Sequence, residues 1–306
     1  MSWLFEPGFF SSAQVHTALI IGGVTAVVSA SIGVFTVIRG QSFAGHALTD
    51  TAATGGSAAV LIGINPLVGF LAGSVLGAGA MEAVGVRHVR SRDLATGIVL
   101  GASIGLASLF LYLTTTTTAT TGATQEILFG SIFVTTPSTV PVVIVFGVLA
   151  VLVVAAGFRP LLLTSIDPDL AAASGLRVGV VELAYMAALA FAVGLSSIAV
   201  GAILSTALLI GPAATALRLT KRIVAAVALA AGLGVATTWL GILVAYDSAD
   251  WGAGHDTLPV SFCIVGLVFV LYLVSGLAFR VSEGARAARR SPSRPGAAPR
   301  MSSGSS

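Results

Sequence analysis

The sequence predicts an all-α, polytopic bundle of about nine membrane-spanning helices. Hydrophobic residues make up 56% of the 306 positions and charged residues only 9%, against roughly a quarter charged in an ordinary soluble domain. The apolar residues form several long runs instead of one block, which excludes a protein held by a single anchor. The N-terminus lacks a basic segment and contains the acidic Glu6, so we expect the first apolar run to remain as a span and not to be cleaved as a secretory signal.

Nine spans follow from windows of about 20 apolar residues, the length that crosses ~30 Å of hydrocarbon. The basic residues on either side of the sixth and seventh windows favour an even number of crossings there, although the separator SSIAVG is short. An alternative with eight spans demotes the first segment to a surface helix or fuses two others. The nine windows lie near residues 16–38, 42–63, 66–86, 94–113, 139–158, 180–200, 202–218, 223–245 and 259–279.

The distribution of basic residues predicts the orientation. With nine spans and an outer N-terminus, all 15 Lys and Arg residues fall on the cytoplasmic side. The net charge of +3 is then a topology signal, and no nucleic-acid partner is implied. We expect a multi-pass protein of the cell membrane with a cytoplasmic C-terminus. Residues 1–279 form the membrane domain, and residues 280–306 form a disordered basic tail near the anionic lipids of the inner leaflet.

Two further features concern packing. Residues 114–133 are too polar at their start and too short at their apolar end to span, so they predict an outer loop with a short re-entrant or interfacial helix. Glycines at four-residue spacing allow helix backbones to approach closely in lipid. They form two stripes, Gly69/Gly73/Gly77 and Gly97/Gly101/Gly105.

His46 and Asp50, in the stretch SFAGHALTD, are the polar pair that the predicted second span buries most deeply. If residue 42 marks the inner boundary, a rise of 1.5 Å per residue places Asp50 about 12 Å into the membrane. The two residues are i and i+4, so their side chains lie on one helix face. A carboxylate there is costly in lipid, and this face should look into the bundle or a wet path.

Three interpretations of the pair stay open: a structural hydrogen-bonded pair, a proton relay, or a path for a cation such as Zn²⁺, Mn²⁺ or Fe²⁺. Two ligands do not complete a tight tetrahedral site. The predicted outer loop contains further candidate cation contacts, which could form a weak collecting mouth or an ordinary hydrated loop. These candidates are Asp247, Asp250, His255 and Asp256.

Several function classes lack their sequence signals. The chain has no G-x-x-x-x-G-K-[ST] loop for nucleotide phosphates and no H-E-x-x-H motif. The single cysteine, Cys263, excludes an intrachain disulfide and a multi-cysteine metal site. We therefore expect neither an enzyme nor a permanently bound cofactor. Uphill transport would need an ion gradient or a separate ATPase subunit.

Four stretches resemble the membrane subunit of ABC-type zinc, manganese and iron importers. RGQSFAGHALTDTAATGG, from residue 39, resembles a family segment of the form GDALSHAVLPG, with His46 on its histidine. RDLATGIVLGASIGLASLFL, from residue 92, resembles the family's fourth helix, and DPDLAAASGLRV, from residue 167, its cytoplasmic DPE-x-A-x-x-x-G segment. GAILSTALLIGPAATALRLTKR, from residue 201, is close to the signature GVLLVSALLIIPAATARLL. In this register the family's acid stands four residues before the histidine, where this chain has Ser42, whereas Asp50 stands four residues after it.

The resemblance implies a cobalamin-importer-like permease fold and a transported divalent metal ion, zinc or manganese, with His46 and Asp50 as transient ligands. It also implies a cytoplasmic ATP-binding subunit, an extracytoplasmic metal-binding protein and a second permease copy. The ATPase would dock on residues 167–178, where Asp167 and Asp169 can open a short helix and Gly175 can close it. Alternatives are a siderophore or cobalamin permease of the same fold, a secondary transporter driven by an ion gradient, and a structural membrane scaffold.

Overall fold

The fold is described by a computed structural model. It covers residue 9 and residues 12–85, 89–117, 122–130, 132–248 and 258–290, with the backbone alone at 84–85, 89–92, 123 and 278–290. These residues form twelve α-helices and no strand: α1 (Ala13–Ile38), α2 (Ser42–Leu61), α3 (Pro66–Gly85), α4 (Val89–Thr117), α5 (Gly122–Phe129), α6 (Val140–Ala156), α7 (Phe158–Ile166), α8 (Pro168–Ala173), α9 (Val178–Val200), α10 (Ala202–Leu219), α11 (Ile223–Asp247) and α12 (Val260–Arg290).

The long helices confirm the predicted helical membrane bundle. Within the described ranges, nine helices have 17 residues or more, and each coincides with one of the nine predicted spans. Eight of them are long and apolar enough to cross a membrane. The ninth, α2, is 20 residues long but richer in Thr, Ser and Gly, and it carries His46 and Asp50. Helix α12 continues to Arg290, past the predicted boundary at residue 279, and residues 291–306 lie outside the described part of the chain.

Helices α1 and α9 form the centre of the bundle. In each of them 78% of the most apolar stretch is buried, whereas the corresponding share is 22–28% in α4, α6, α11 and α12. Large core side chains such as Phe35 and Tyr185 lie at this centre. The peripheral helices expose many Leu, Ile and Val side chains, as expected of surfaces that meet lipid tails instead of water.

The two glycine stripes occupy different environments. On α3, Gly69 and Gly73 lie against the α2 backbone: a Cβ on Gly69 would stand 2.3 Å from the Gly55 carbonyl oxygen, and one on Gly73 2.3 Å from the Thr51 carbonyl oxygen. On α4, no atom lies within 4 Å of a Cβ built on any of Gly97, Gly101 and Gly105. The first stripe thus sets the close approach of α2 and α3, and the second packs against nothing in the described chain.

The predicted outer loop contains α5, which packs against α2, α4, α9 and α10 with Ile127 fully buried. The C-terminal end of α5 meets the turn between α9 and α10, where a Cβ on Gly201 would stand 2.3 Å from the Leu128 carbonyl oxygen. Gly201 has φ +84, a conformation that glycine adopts without strain. Helix α9 includes the stretch SSIAV, so Gly201 alone separates α9 from α10.

Candidate functional site

His46 lies in the second turn of α2 with its side chain exposed on the surface of the single chain. Its Nδ1 atom is 3.2 Å from the Thr206 hydroxyl oxygen on α10. Thr206 belongs to the signature stretch after residue 201, but no sequence spacing connects it with His46. The fold therefore supplies a neighbour for the imidazole that the sequence did not predict.

Asp50 lies one turn further along α2 and is half-buried. Its charge interacts with His46, as expected for residues four apart on one helix face. Its Oδ2 atom is buried and has no hydrogen-bond partner among the described residues. A charged carboxylate within a membrane helix costs about 3 kcal/mol on insertion scales, so an acceptor without a partner is a strong candidate for contact with a cation.

Thr54 fixes the next turn of the same face. Its hydroxyl reaches the Asp50 carbonyl oxygen at 2.9 Å and the Ser103 carbonyl oxygen on α4 at 2.8 Å. This contact joins α2 to α4 directly above Asp50. The His46–Asp50 pair consequently lies on a helix that contacts α10 and α4. Thr206 on α10 lies beside His46, and Ser103 on α4 is bonded to Thr54.

The chemistry of His46 depends on its tautomer. If Nδ1 carries the proton, the imidazole donates it to the Thr206 hydroxyl oxygen and Nε2 presents a lone pair. A metal-binding histidine commonly donates its other ring N–H in this way, which fixes the orientation of the ring. The arrangement therefore suits cation ligation by Nε2 of His46 and by a carboxylate oxygen of Asp50.

The described residues form no cluster of three or more His, Cys, Asp and Glu side chains suited to holding a metal ion. A single chain thus offers His46 and Asp50 as a pair, short of the four ligands typical of tight zinc sites. A site with so few ligands suits a transported ion better than a permanently bound one, because conduction requires release of the ion as well as binding.

The predicted outer mouth is described only in part. Asp247 ends α11 and is 7% exposed, so it is buried and not a hydrated loop residue. Next to it, the hydroxyl oxygen of Ser248 accepts the backbone N–H of Leu258 at 2.9 Å, which ties the far end of the loop to α11. Asp250, His255 and Asp256 lie outside the described residues, so the cation-collecting role of all four remains a prediction.

The segment predicted to dock an ATPase forms a capped helical turn. The side chain of Asp167 accepts the backbone N–H of Asp169 at 3.0 Å and that of Leu170 at 2.9 Å, and Gly175 follows the end of α8 with φ +86. Ile166 and Leu170, at the junction of α7 and α8, are 74% and 56% exposed. The segment therefore presents apolar side chains on a short, well-defined protrusion.

Sequence reasoning missed a buried group that we name the Arg39–Glu182 cluster: Arg39, Gln41, Thr164, Ser165 and Glu182. Arg39 and Glu182 form an ion pair with side chains 6% and 5% exposed. Arg39 directly follows α1, and Glu182 lies in the second turn of α9. Opposite charges at the ends of two spans were the only sequence signal for this ion pair. The two residues are 143 positions apart, so their spacing does not show that they meet.

The chain is similar to known proteins in both sequence and fold. The chain is similar to the manganese import system permease protein ScaB of Streptococcus gordonii, with 30% identity over 87% of this chain and 94% of the relative. It is 28% identical to the manganese transport system membrane protein MntC of Listeria monocytogenes, over 90% and 97% of the two chains. In fold it is similar to a chain of PsaBC from Streptococcus pneumoniae, solved in complex with Fab, with a TM-score of 0.74, 24% identity and coverage of 88% and 92%. A family model described as the ABC 3 transport family matches residues 11–277, and this chain therefore belongs to the ABC 3 transport family.

Proposed function

We propose that the chain is the permease subunit of an ABC importer that moves a divalent metal ion, manganese or zinc, across the cell membrane. The observation that carries the proposal is the His46–Asp50 pair on α2, with Thr206 beside the imidazole and one carboxylate oxygen unpartnered within the described chain. The relatives named as manganese import and transport proteins support the same cargo class.

The motif itself supports the pair in a second register. GDALSHAVLPG contains an aspartate and a histidine four residues apart after a glycine, and Gly45-His46-Ala47-Leu48-Thr49-Asp50 has the same spacing with the two exchanged. Gly45, Ala47 and Leu48 match the motif in this register. Fewer residues match when His46 is placed on the motif's histidine. Because i and i+4 face the same way, the exchange keeps one imidazole and one carboxylate on the path.

A second permease copy would complete the path. His46 is exposed on the single chain, and an ionisable side chain at membrane depth faces a bundle interior or a water-filled cavity much more often than lipid. If two copies meet at this face, their His46 and Asp50 side chains supply two nitrogen and two oxygen ligands. Mn²⁺ and Zn²⁺ both accept such donors.

The remaining partners follow from the same proposal. A separate cytoplasmic ATPase docks on residues 167–178 and the preceding Ile166, through Ile166, Leu170 and the turn capped by Asp167, and it performs all ATP hydrolysis. An extracytoplasmic metal-binding protein delivers the ion to the outer side, where Asp247, Asp250, His255 and Asp256 receive it. The N-terminus is then outside and the C-terminus cytoplasmic, and lipid surrounds the peripheral helices.

Uptake of radiolabelled Mn²⁺ and Zn²⁺ by cells that express the complete transporter tests the proposal. We expect uptake to collapse in His46→Ala and Asp50→Ala variants and when the ATPase partner is inactivated. His16→Ala is a matched control for the histidine, because His16 is exposed and lies near the start of α1, and it should keep wild-type uptake. Membrane levels of each variant are measured in parallel.

The other outcomes identify the alternatives. Uptake that persists without ATP hydrolysis would contradict the ABC mechanism and indicate coupling to an ion gradient. Metal uptake unaffected in both variants would show that the pair only packs the bundle. Uptake of a metal chelate, and not of the bare ion, with no dependence on His46 would indicate a siderophore or cobalamin permease.

A further inference from the structure

The Arg39–Glu182 cluster joins three parts of the chain at one end of the bundle. Arg39 follows α1, Glu182 lies in the second turn of α9, and Thr164 and Ser165 lie near the end of α7. The Arg39 guanidinium also stands 4.9 Å from the centre of the Tyr185 ring, and the Tyr185 hydroxyl is 2.8 Å from that of Thr36 on α1. The charges are thus enclosed by polar and aromatic partners.

On one side the cluster holds α7. The Arg39 guanidinium donates to the hydroxyl oxygens of Thr164 and Ser165 at 3.0 and 3.3 Å, and to the Leu161 carbonyl oxygen at 3.4 Å. A single residue, Asp167, separates α7 from α8. A displacement of the proposed docking segment therefore reaches Arg39 through one short helix.

On the other side the cluster holds the start of α2. Glu182 pairs with Arg39 through one carboxylate oxygen, and through the other it accepts the Gln41 side-chain N–H at 2.7 Å. Gln41 directly precedes α2, and its carbonyl oxygen accepts the Gly45 amide at 3.0 Å. His46 follows Gly45. Glu182 therefore fixes, through Gln41, the first turn of α2, which directly precedes the His46–Asp50 pair.

We propose that Arg39 and Glu182 are positioning residues that transmit movement of the ATPase-docking segment to His46 and Asp50. This inference rests on the proposed function. An arginine fork bonds several groups in fixed directions at once, and here it bonds α7 and α9 together. A buried ion pair adds little net stability over well-packed apolar side chains. The value of the Arg39–Glu182 pair is therefore that it fixes the relative positions of α7, α9 and the start of α2.

The test replaces the pair with apolar side chains of similar size, Arg39→Met with Glu182→Leu, in the complete permease–ATPase complex reconstituted in liposomes. This double variant leaves no buried charge unpaired, so it should assemble and hydrolyse ATP at close to the wild-type rate. We expect metal uptake per ATP hydrolysed to fall at least about ten-fold, the scale typical for loss of supporting contacts. Arg218→Gln, which removes an exposed arginine that contacts Tyr272, is the matched control and should keep the wild-type ratio.

Hydrogen exchange supplies a readout that does not depend on cargo. Trapping the ATPase with nucleotide and vanadate should change amide exchange in both residues 158–173 and residues 42–50 of the wild type. In the double variant the change should persist in the first segment and disappear in the second. If both segments still respond, or if uptake per ATP is unchanged, the inference is wrong.

Two further results separate the possible failures. If the double variant does not assemble, Thr164→Val with Ser165→Ala keeps the ion pair and removes the two side-chain bonds from Arg39 to α7, leaving only the longer contact with the Leu161 carbonyl oxygen. That variant should reduce the response of residues 42–50, and an undiminished response would overturn the inference. If the wild type transports no metal but its residues 42–50 respond to nucleotide, the proposed cargo is wrong while the transmission through Arg39 and Glu182 stands.

Discussion

Two polar sites involve residues 39–50, and they differ in how their charged groups are bonded. In the Arg39–Glu182 cluster, both carboxylate oxygens of Glu182 are bonded and the guanidinium has contacts with three groups on α7 besides the ion pair, although Arg39 Nε and Gln41 Oε1 have no hydrogen-bond partner among the described residues. On α2, His46 is exposed with the Thr206 hydroxyl beside its Nδ1 atom, and the Asp50 Oδ2 atom has no partner in the described chain. We propose that the ion pair of the first site holds segments of the chain in place, whereas the second site keeps bonding capacity for a cation.

The largest expected effect is on the first site. Glu182→Ala should lower the free energy of unfolding by about 3–5 kcal/mol, because it leaves Arg39 buried without its counter-charge. Unfolding followed by denaturant titration in bicelles measures the loss. The Arg39→Met/Glu182→Leu variant should recover most of it, and a double variant as unstable as Glu182→Ala would show that the ion pair itself stabilises the fold.

The second site should respond in the opposite way. His46→Ala should change the free energy of unfolding by less than about 0.5 kcal/mol, as is usual for exposed positions, and Asp50→Asn should not lower it, because a carboxylate is costly within a membrane helix. Metal uptake should nevertheless fall about 100-fold, the upper range for damage to a metal site. Parallel measurement of unfolding and uptake checks this, and a loss of stability matching that of Glu182→Ala would remove the distinction between the two sites.

A smaller effect sharpens the role of Thr206. Thr206→Val keeps the shape of the side chain but removes the hydroxyl beside His46 Nδ1, so the ring loses the group that orients it. Uptake should fall about ten-fold, while Thr206→Ser should keep most of it. Equal uptake by the Val and Ser variants would show that the 3.2 Å contact does not orient the imidazole.

The smallest effect concerns the edge of the cluster. Tyr185→Phe removes the hydroxyl bonded to Thr36 and keeps the ring beside Arg39. We expect a loss of about 0.6 kcal/mol, the average for such bonds within membrane bundles, with no change in metal uptake. A decrease in uptake with normal stability would extend the transmission through Arg39 and Glu182 to Tyr185.

The sequence by itself determined the helical membrane fold, because 20-residue apolar windows have only one way to satisfy their backbone groups in lipid. The same reasoning placed His46 and Asp50 on one face of α2, since their spacing fixes it. It also placed Asp167 at the start of a short helix and Gly175 after its end, where local capping rules apply.

Only the tertiary structure decided which distant groups meet. Spacing along the chain carries no information about Arg39 and Glu182 or about His46 and Thr206, which lie 143 and 160 residues apart. The two glycine stripes have the same spacing, yet Gly69 and Gly73 contact α2, whereas a Cβ on Gly97, Gly101 or Gly105 would meet no atom of the described residues within 4 Å. The sequence pattern specifies which residues share one face of a helix. The packing of all the helices decides which residues of other helices that face contacts.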